Sequence, residues 1–253
     1  DPNSSQVFYV GTESAGVFKT TDGGSTWLPA RSGLSPAVKV ISLAVDPQNS
    51  NRLYAGTEKV GTGSAGVIWR SMDAGATWTD ITGNMETGTF ADAYQPFNII
   101  VDPHNSNTLY VGLGGYAGQI YKTTDGGGTW WGMDAGIPPG RETYTGVVTA
   151  LAIDPGNSLI LYAGVRDYGV YKTVDGGASW MPLNDGVPSY REEYKGATAL
   201  AVDVLHSNRP AGIIDGDYYN NADNEGHIQL HVYNFSDVPV TLAKGERFCQ
   251  GVF

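Results

Sequence analysis

The residues Asp215-Gly216-Asp217-Tyr218 have types and spacing that could do chemistry. A carboxylate beside a tight glycine turn can take a proton from water and activate it, and a neighbouring aromatic ring can pack against a flat substrate. The same residue types also form ordinary hairpin turns, in which aspartate binds backbone amides and glycine permits the bend. The four residues alone leave both interpretations open.

Acidic and aromatic residues between the predicted strands indicate a second kind of chemistry. Hydrolysis of a glycosidic bond needs two carboxyl groups that face each other across a cleft, about 5 to 9.5 Å apart. The acidic candidates are Glu13, Glu58, Glu86, Asp92, Asp167, Glu192 and Glu193. The rings that could stack on sugars are Tyr94, Trp131, Tyr144, Tyr168, Tyr190 and Tyr194. No motif singles out a carboxylate pair, so solvated loop acids and ordinary ring packing are the competing interpretations.

The histidines and the single cysteine do not indicate a metal site. His227 and His231 would share a face of an alternating strand, but they would lie too far apart to hold zinc without other ligands. His104 and His206 lack any metal-ligand spacing to cysteine or carboxylates. Cys249 cannot form an internal disulfide and is interpreted as a small core residue. We therefore predict no metal ligands.

The composition narrows the classes of partner. A formal net charge of −11 argues against a nucleic acid polymer, because such binding relies on lysine and arginine that displace counterions. No apolar run reaches the roughly 18 residues of a membrane-spanning helix, so no membrane partner is expected. The chain opens on Asp1-Pro2-Asn3-Ser4 without an initiator methionine or a signal peptide, which is typical of a mature form or a cut fragment. The sequence does not indicate the cellular compartment of the protein.

A repeated turn motif gives the elements that must position these residues. Four segments share the pattern Ser/Thr-x-Asp-x-Gly-x-Thr/Ser-Trp, about 50 residues apart. Their aspartates can accept hydrogen bonds from their own turns, their glycines permit the bend, and their tryptophans can pack on the sheet beneath. We therefore predict a structural role for the pairs Asp22 and Trp27, Asp73 and Trp78, Asp125 and Trp130, and Asp175 and Trp180.

The rest of each repeat predicts short strands. Each repeat contains a tyrosine-bearing strand after an Asp-Pro turn, a second strand ending at the motif, a strand after its tryptophan, and a closing apolar strand such as VISLAV. Four strands per repeat is the arrangement of a β-propeller blade. The predicted fold class is all-β, with about four antiparallel blades over residues 1–203 and a different β segment over 204–253.

The repeated motif resembles the Asp-box, or bacterial neuraminidase, repeat. Together with DP-x-N-S-x-x-L-Y-x-G, it is similar to the blades of xyloglucanase-type glycoside hydrolases, sortilin-type propellers and photosystem assembly factors. The resemblance implies a sialidase-like propeller over residues 1–203. It does not imply one activity, because the boxes are structural in those families and folds host many functions.

The last fifty residues resemble the dUTPase family. The segment GIIDGDYYNN is similar to its third motif, and GERFCQ to its fourth. The resemblance implies that Asp215 activates water, that Tyr218 packs against the deoxyribose, and that Arg247 and Gln250 contact the phosphates, with Mg²⁺ arriving on the triphosphate. The family's first motif and glycine-rich tail are not found. Its second motif is spelled by 31–34 (RSGL), whose repeat phase instead indicates a propeller loop.

These observations lead to one functional hypothesis and two alternatives. We expect a binding or scaffold module of the carbohydrate-active type, not catalytic as it stands and needing no cofactor, joined to a partial dUTPase-like segment in a natural or engineered chimera. The alternatives are a glycoside hydrolase acting on a β-glucan or xyloglucan-type polysaccharide, and a dUTP diphosphatase that uses Asp215 and Mg²⁺. A glycan or protein ligand is expected on the loops, and an extracellular location is favoured for the propeller part. Self-association is also expected, because an open arc of blades leaves two faces uncovered.

Overall fold

The computed structural model describes residues 1–34, 38–58, 67–85, 95–114, 119–138, 147–185, 187, 197, 199–202 and 212–214. All regular secondary structure in these residues is β-strand. In chain order the strands are β1 (Phe8–Gly11), β2 (Val17–Thr20), β3 (Leu28–Pro29), β4 (Val40–Asp46), β5 (Asn49–Thr57), β6 (Val67–Ser71), β7 (Thr79–Asp80), β8 (Gln95–Asp102), β9 (Asn105–Gly114), β10 (Gln119–Thr123), β11 (Trp131–Gly132), β12 (Val148–Asp154), β13 (Asn157–Val165), β14 (Gly169–Thr173), β15 (Met181–Pro182), β16 (Ala199–Ala201) and β17 (Gly212–Ile214).

The strands form successive antiparallel sheets, which we call blades 1 to 5. Blades 2, 3 and 4 each contain four strands in sequential order, β4 to β7, β8 to β11 and β12 to β15. Blade 1 contains three strands, β1 to β3, and blade 5 contains two, β16 and β17. The predicted four-stranded blade is therefore present three times in the described residues, and the two terminal blades are shorter.

The apolar strand of each repeat begins a blade rather than closing one. In blade 2 the strand β4 pairs with β5, with Leu43 opposite Ala55. The two strands are joined by an Asp-Pro turn, in which Asp46 Oδ1 accepts a hydrogen bond from the amide of Gln48 at 2.9 Å. The expectation that VISLAV ends the blade of the preceding Asp-box is therefore wrong. A tight hairpin turn forces its two flanking strands into the same sheet.

The alternation of strand direction gives each blade two distinct ends. The Asp-Pro turn and the Asp-box turn lie at one end, which we call the turn end, because they join the first strand to the second and the third to the fourth. The connections between the second and third strands, and between consecutive blades, leave from the opposite end, which we call the loop end. Most of the acidic and aromatic candidates belong to connections at the loop end.

The hydrophobic core lies between consecutive blades. Each blade offers one face to the blade before it, its leading face, and one to the blade after it, its trailing face. Between blades 2 and 3, the trailing face contributes Tyr54, Ile68 and Ile81. The leading face of blade 3 contributes Leu109, Val111 and Trp130 to the same cluster. Burial of a large apolar side chain is worth about 1.5–3 kcal/mol, so these interfaces hold the array together.

The two predicted segments meet in blade 5. Strand β16, the last apolar strand of the repeat part, pairs with β17, which lies in the dUTPase-like part. Leu200 stands opposite Ile213 in this pairing. Four predicted nucleotide-site residues lie outside the described residues, namely Asp215, Tyr218, Arg247 and Gln250.

Candidate functional site at the loop end and the Asp-box turns

The first Asp-box is a closed network of hydrogen bonds. The hydroxyl of Thr20 donates to Asp22 Oδ1 at 2.7 Å and accepts from the amide of Gly24 at 3.0 Å. The amide of Thr26 donates to Asp22 Oδ1 at 2.8 Å, and its hydroxyl donates to Asp22 Oδ2 at 2.6 Å. Both carboxylate oxygens are thereby bound within the turn.

The other three boxes repeat this arrangement. In box 2 the hydroxyl of Thr77 binds Asp73 Oδ2, and in box 4 the hydroxyl of Ser179 binds Asp175 Oδ2. Asp125 accepts from the hydroxyl of Thr123 at 2.7 Å. These hydroxyl bonds are the main cause that lowers the pKa of all four carboxyls to about 2, with backbone amide bonds adding to the effect. A carboxylate that its own turn holds ionised is too weak a base to take a proton from water readily. The geometry therefore supports the predicted structural role of the boxes.

The Asp-box tryptophans join consecutive blades. The indole Nε1 of Trp78 donates to the carbonyl of Ala30, that of Trp130 to Ile81, and that of Trp180 to Met133, each at 2.8 Å. The acceptors lie 48, 49 and 47 residues earlier in the chain. These three tryptophans are buried, whereas Trp27 in blade 1 is 42% exposed. The tryptophans of blades 2 to 4 therefore pack against the preceding blade, whereas no blade among the described residues lies against Trp27.

A second contact crosses each interface in the opposite direction. Tyr9 and Lys19 of blade 1 both donate to the carbonyl of Ala74 in the second Asp-box, at 3.2 and 3.3 Å. Tyr110 and Lys122 of blade 3 both donate to the carbonyl of Gly176 at 3.0 Å. Burial raises the pKa of Tyr110 and lowers the pKa of Lys122. The second and fourth Asp-box turns thus also accept hydrogen bonds from side chains of the blade before them.

The connection between blades 2 and 3 follows the same scheme with an arginine. Arg70 NH1 donates to the carbonyl of Gly126 at 2.8 Å.

The segment 31–34, which spells a dUTPase-like motif, lies between blades 1 and 2. The carbonyl of Ser32 accepts from the amide of Trp78 at 2.8 Å. Gly33 has a φ of 95° and lies against the carbonyl of Trp78. Gly136 occupies the same position against Trp180. The segment is therefore a connector between blades, as its repeat phase predicts.

Two predicted carboxylates come together at the loop end. Glu13 Oε1 lies 3.9 Å from Lys39 Nζ, and Glu58 Oε2 lies 3.7 Å from the same nitrogen. Gln95 Nε2 donates to Glu58 Oε1 at 3.0 Å. Sequence reasoning did not single out Lys39 or Gln95. The signal that could have found them is their equivalent position in consecutive repeats, with Lys39 directly before β4 and Gln95 as the first residue of β8.

The remaining sugar-site candidates are placed differently from one another. Asp167 lies in the β13–β14 connection with a φ of 69°, and Tyr168 beside it packs against the blade 3–4 core. Trp131 begins strand β11 and is 61% exposed, so it lies beside the turn end and not in a loop as expected. The other candidates lie outside the described residues: Glu86, Asp92, Tyr94, Tyr144, Tyr190, Glu192, Glu193 and Tyr194.

Neither a cluster of metal-ligating side chains nor a candidate membrane-spanning helix is present in the described part of the chain. In the described ranges, no three His, Cys, Asp or Glu side chains lie close enough to hold a metal ion together. Over the same part of the chain, no helix has the length and hydropathy that crossing a bilayer requires.

Known proteins with similar sequences and structures contain propeller blades like those of this chain. A xyloglucanase of Paenibacillus sp is 32% identical over 157 residues, which is 53% of this chain and 14% of that protein. The GH74 xyloglucanase structure from Xanthomonas campestris superimposes with a TM-score of 0.64 at 19% identity, covering 84% of this chain and 34% of that one. The all-β propeller fold is confirmed by this likeness, and the chain spans only a small part of these relatives.

A different relative matches a short segment. The deoxyuridine 5'-triphosphate nucleotidohydrolase of Lactococcus lactis is 60% identical over 42 residues, which is 17% of this chain and 28% of that protein. The chain therefore carries a dUTPase-like element as well as glycoside hydrolase-like blades.

The family model for sortilin, neurotensin receptor 3, matches residues 66–239, which is more than half of the chain. This match includes strands β6 and β7 of blade 2 and all of blades 3 and 4, with the Asp-box turn and the buried tryptophan of each of these blades. The chain belongs to the Sortilin-Vps10 family.

Proposed function

We propose that the chain is a carbohydrate-binding scaffold that uses the loop end of its blades and does not cleave its ligand. The ligand class is a β-glucan of the xyloglucan type, which is supported by the names of the propeller relatives. Such polysaccharides lie outside cells, so the proposal includes an extracellular location.

The observation that carries the proposal is the position of Lys39 between Glu13 and Glu58. A glycosidase needs one carboxyl group to protonate the leaving oxygen and another to attack or to activate water, on opposite sides of the bond. Here the two carboxylates share one ammonium group, so the space between them holds a side chain and not a sugar. Polar groups arranged in this way can bind sugar hydroxyls without cleaving the glycosidic bond.

Binding and turnover are measured on the same sample. Isothermal titration calorimetry with soluble xyloglucan should show binding, while a reducing-sugar assay of the mixture should show no release. Tyr168→Ala at the loop end should weaken binding, and Trp131→Ala, which removes an exposed ring beside the turn end, should not. Release of reducing sugar would overturn the non-catalytic assignment, and loss of binding in Trp131→Ala alone would overturn the placement.

A dUTP diphosphatase is the second candidate, and the 60% identity over 42 residues favours it. We propose that the dUTPase-like segment is not active in this chain, since the segment matches 28% of that relative's length. Incubation with dUTP and Mg²⁺ should give no pyrophosphate. Pyrophosphate release that disappears in Asp215→Ala would establish the enzyme instead.

A further inference from the structure

Four buried polar atoms without a hydrogen-bond partner in the protein lie in the interface between blades 2 and 3. They are Asp46 Oδ2, Arg52 Nε, Tyr54 Oη and Arg70 Nε. Asp46 and Tyr54 are fully buried. Nearly all buried polar atoms in folded proteins have a partner, either in the protein or in a bound water, so a group of four needs a physical explanation.

The strand pairing brings the four side chains to one region of the trailing face of blade 2. Tyr54 in β5 stands opposite Arg70 in β6, and Arg52 lies two residues before Tyr54 on the same face of β5. Asp46 ends the neighbouring strand β4, and its Oδ2 lies 3.7 Å from Arg52 Nε. That distance allows an ion pair but is too long for a hydrogen bond.

The charged groups of this region act on the Tyr54 hydroxyl. Burial raises the pKa of Tyr54, the positive charges of Arg52 and Arg70 oppose this rise, and the Asp46 carboxylate adds to it. Arg52 also approaches the hydroxyl, without the geometry of a hydrogen bond. All three charged groups therefore lie within electrostatic reach of one buried hydroxyl.

Blade 3 holds both arginines through their other nitrogens. Arg52 Nη1 donates to the carbonyl of Ser106 at 2.8 Å, and Arg70 Nη1 donates to the carbonyl of Gly126 at 2.8 Å. Asp46 Oδ1 already accepts from a backbone amide of its own turn. An arginine could turn its Nε towards Asp46 Oδ2 only by losing its bond to blade 3.

The interfaces on either side have no arginine at these positions. In each of them a tyrosine and a lysine of one blade donate to the same Asp-box carbonyl of the next, Tyr9 and Lys19 to Ala74, and Tyr110 and Lys122 to Gly176. Between blades 2 and 3 the lysine position holds Arg70, which reaches the carbonyl of Gly126, whereas Tyr54 does not. The position of Arg52 holds Val7, Thr108 or Ile160 in the other blades. The unpartnered atoms thus occur where two arginines enter the repeat.

We propose that the interface between blades 2 and 3 binds one water molecule at this cluster. The water donates to Asp46 Oδ2 and Tyr54 Oη and accepts from the Nε–H groups of Arg52 and Arg70. Two acceptors and two donors match the hydrogen-bonding capacity of a water molecule, and a buried water in a protein makes about three hydrogen bonds. The water takes the place of the direct bond from tyrosine to an Asp-box carbonyl in the neighbouring interfaces.

Water fits this cluster better than a chloride ion does. An anion would accept from the two arginines and the tyrosine hydroxyl, but it would lie beside the buried carboxylate of Asp46, which repels it. It would also leave Asp46 Oδ2 without a partner. A water molecule carries no net charge and satisfies the donors and the acceptors together.

A double variant tests the proposal in solution. Oxygen-17 magnetic relaxation dispersion counts the long-lived buried waters of a protein. Arg52→Thr with Arg70→Lys gives this interface the residues found at the same positions in blade 3. Tyr54 should then donate directly to the carbonyl of Gly126, and the count should fall by one water. An unchanged count in the folded double variant would overturn the proposal.

A single variant is the matched control for the loss of an arginine. Arg31 lies in the connector between blades 1 and 2, where its Nη1 donates to the carbonyl of Ala15. Arg31→Lys should leave the number of long-lived waters unchanged. A loss of one water in this variant as well would show that the count does not report on the cluster. Circular dichroism confirms that each variant is folded.

Two further measurements use the unmodified chain. A crystal structure should show the water within about 3.2 Å of both Asp46 Oδ2 and Arg52 Nε, and a direct hydrogen bond between these two atoms would overturn the proposal. The unfolding midpoint in urea should be the same in sodium chloride and in sodium gluconate of equal concentration. A midpoint that chloride raises in the unmodified chain but not in the double variant would show a bound anion in place of the water.

Discussion

The indole nitrogen of Trp130 donates a 2.8 Å hydrogen bond to the backbone carbonyl of Ile81, 49 residues earlier in the chain. The bond crosses from the third blade to the second and is buried at both partners. Equivalent bonds leave Trp78 and Trp180, so one residue type in a repeated turn fixes the spacing of every interface between blades 1 and 4. Trp27 lies in the same local turn and makes no equivalent bond to a described residue, so a comparison of Trp27 with Trp130 distinguishes the effect of the turn from the effect of the interface.

Replacement of Trp130 by phenylalanine tests whether the tryptophan stabilises the interface between blades or its own turn. Trp130→Phe removes the indole donor, leaves the Ile81 carbonyl buried without its partner and opens a small cavity, so we expect a loss of about 2–4 kcal/mol in the free energy of unfolding. Trp27→Phe should cost under about 0.5 kcal/mol, because its ring is 42% exposed and makes no equivalent bond to a described residue. Urea unfolding followed by fluorescence measures both. Equal losses in the two variants would mean that the tryptophan acts within its own turn.

The sequence predicts the turns better than it predicts the sheets. The hydrogen bonds of Asp22 and its counterparts form within seven residues, so residue types at fixed spacing determine them. A repeat of about 50 residues does not say where a blade begins, because the same period can be divided at any point. The pairing of β4 with β5 instead follows from the Asp-Pro turn between them.

The candidate site is less predictable for a related reason. Glu13 and Glu58 meet at Lys39 only because the loop ends of blades 1 and 2 lie side by side, which depends on packing between blades. Likewise, Trp27 is exposed although its motif matches those of the three buried tryptophans, because burial depends on packing between blades and not on the motif.

Ala74 should be replaceable with a gain in stability. It has a φ of 55°, in the left-handed region, where the other three Asp-boxes have Gly23, Gly126 and Gly176. A side chain there costs about 1–2 kcal/mol, and glycine returns part of the gain as chain entropy. We therefore expect Ala74→Gly to raise the free energy of unfolding by about 0.5–1 kcal/mol. Ala76→Gly, in the same turn, should lower it, and calorimetry on both variants distinguishes relief of strain from a general effect of glycine.

The Asp-boxes should give the fold a defined acid limit. Their carboxyls have a pKa of about 2 in the folded state against an ordinary value of 3.8. Because the folded pKa is the lower one, their stabilising effect is complete above about pH 4 and is lost as the pH falls towards 2. Ser179→Ala removes the main cause of the low pKa of Asp175, and the carboxyl carbon signal of Asp175 should then titrate at a higher pH. Ser25→Ala, whose hydroxyl binds the Asp22 backbone carbonyl, should leave the titration of Asp22 unchanged.

The connectors between blades should be sensitive to a single methyl group. Gly136 has a φ of 96°, and a Cβ at this position would collide with the backbone carbonyl of Trp180. The carbonyl cannot move away without breaking the connector, because the amide of Trp180 binds the carbonyl of Ala135 at 2.8 Å. Gly136→Ala should therefore destabilise the fold by about 2–4 kcal/mol through strain and steric clash together.

Gly132→Ala provides the matched control for Gly136→Ala. A Cβ at Gly132 meets no atom within 4 Å, so its unfolding midpoint in urea should stay close to that of the unmodified chain. If Gly136→Ala behaves like Gly132→Ala, the connector tolerates a shift between blades 3 and 4. The close contact of Gly136 with Trp180 would then not determine the distance between blades 3 and 4. That distance would instead depend on the hydrogen bond from the indole of Trp180 to the carbonyl of Met133.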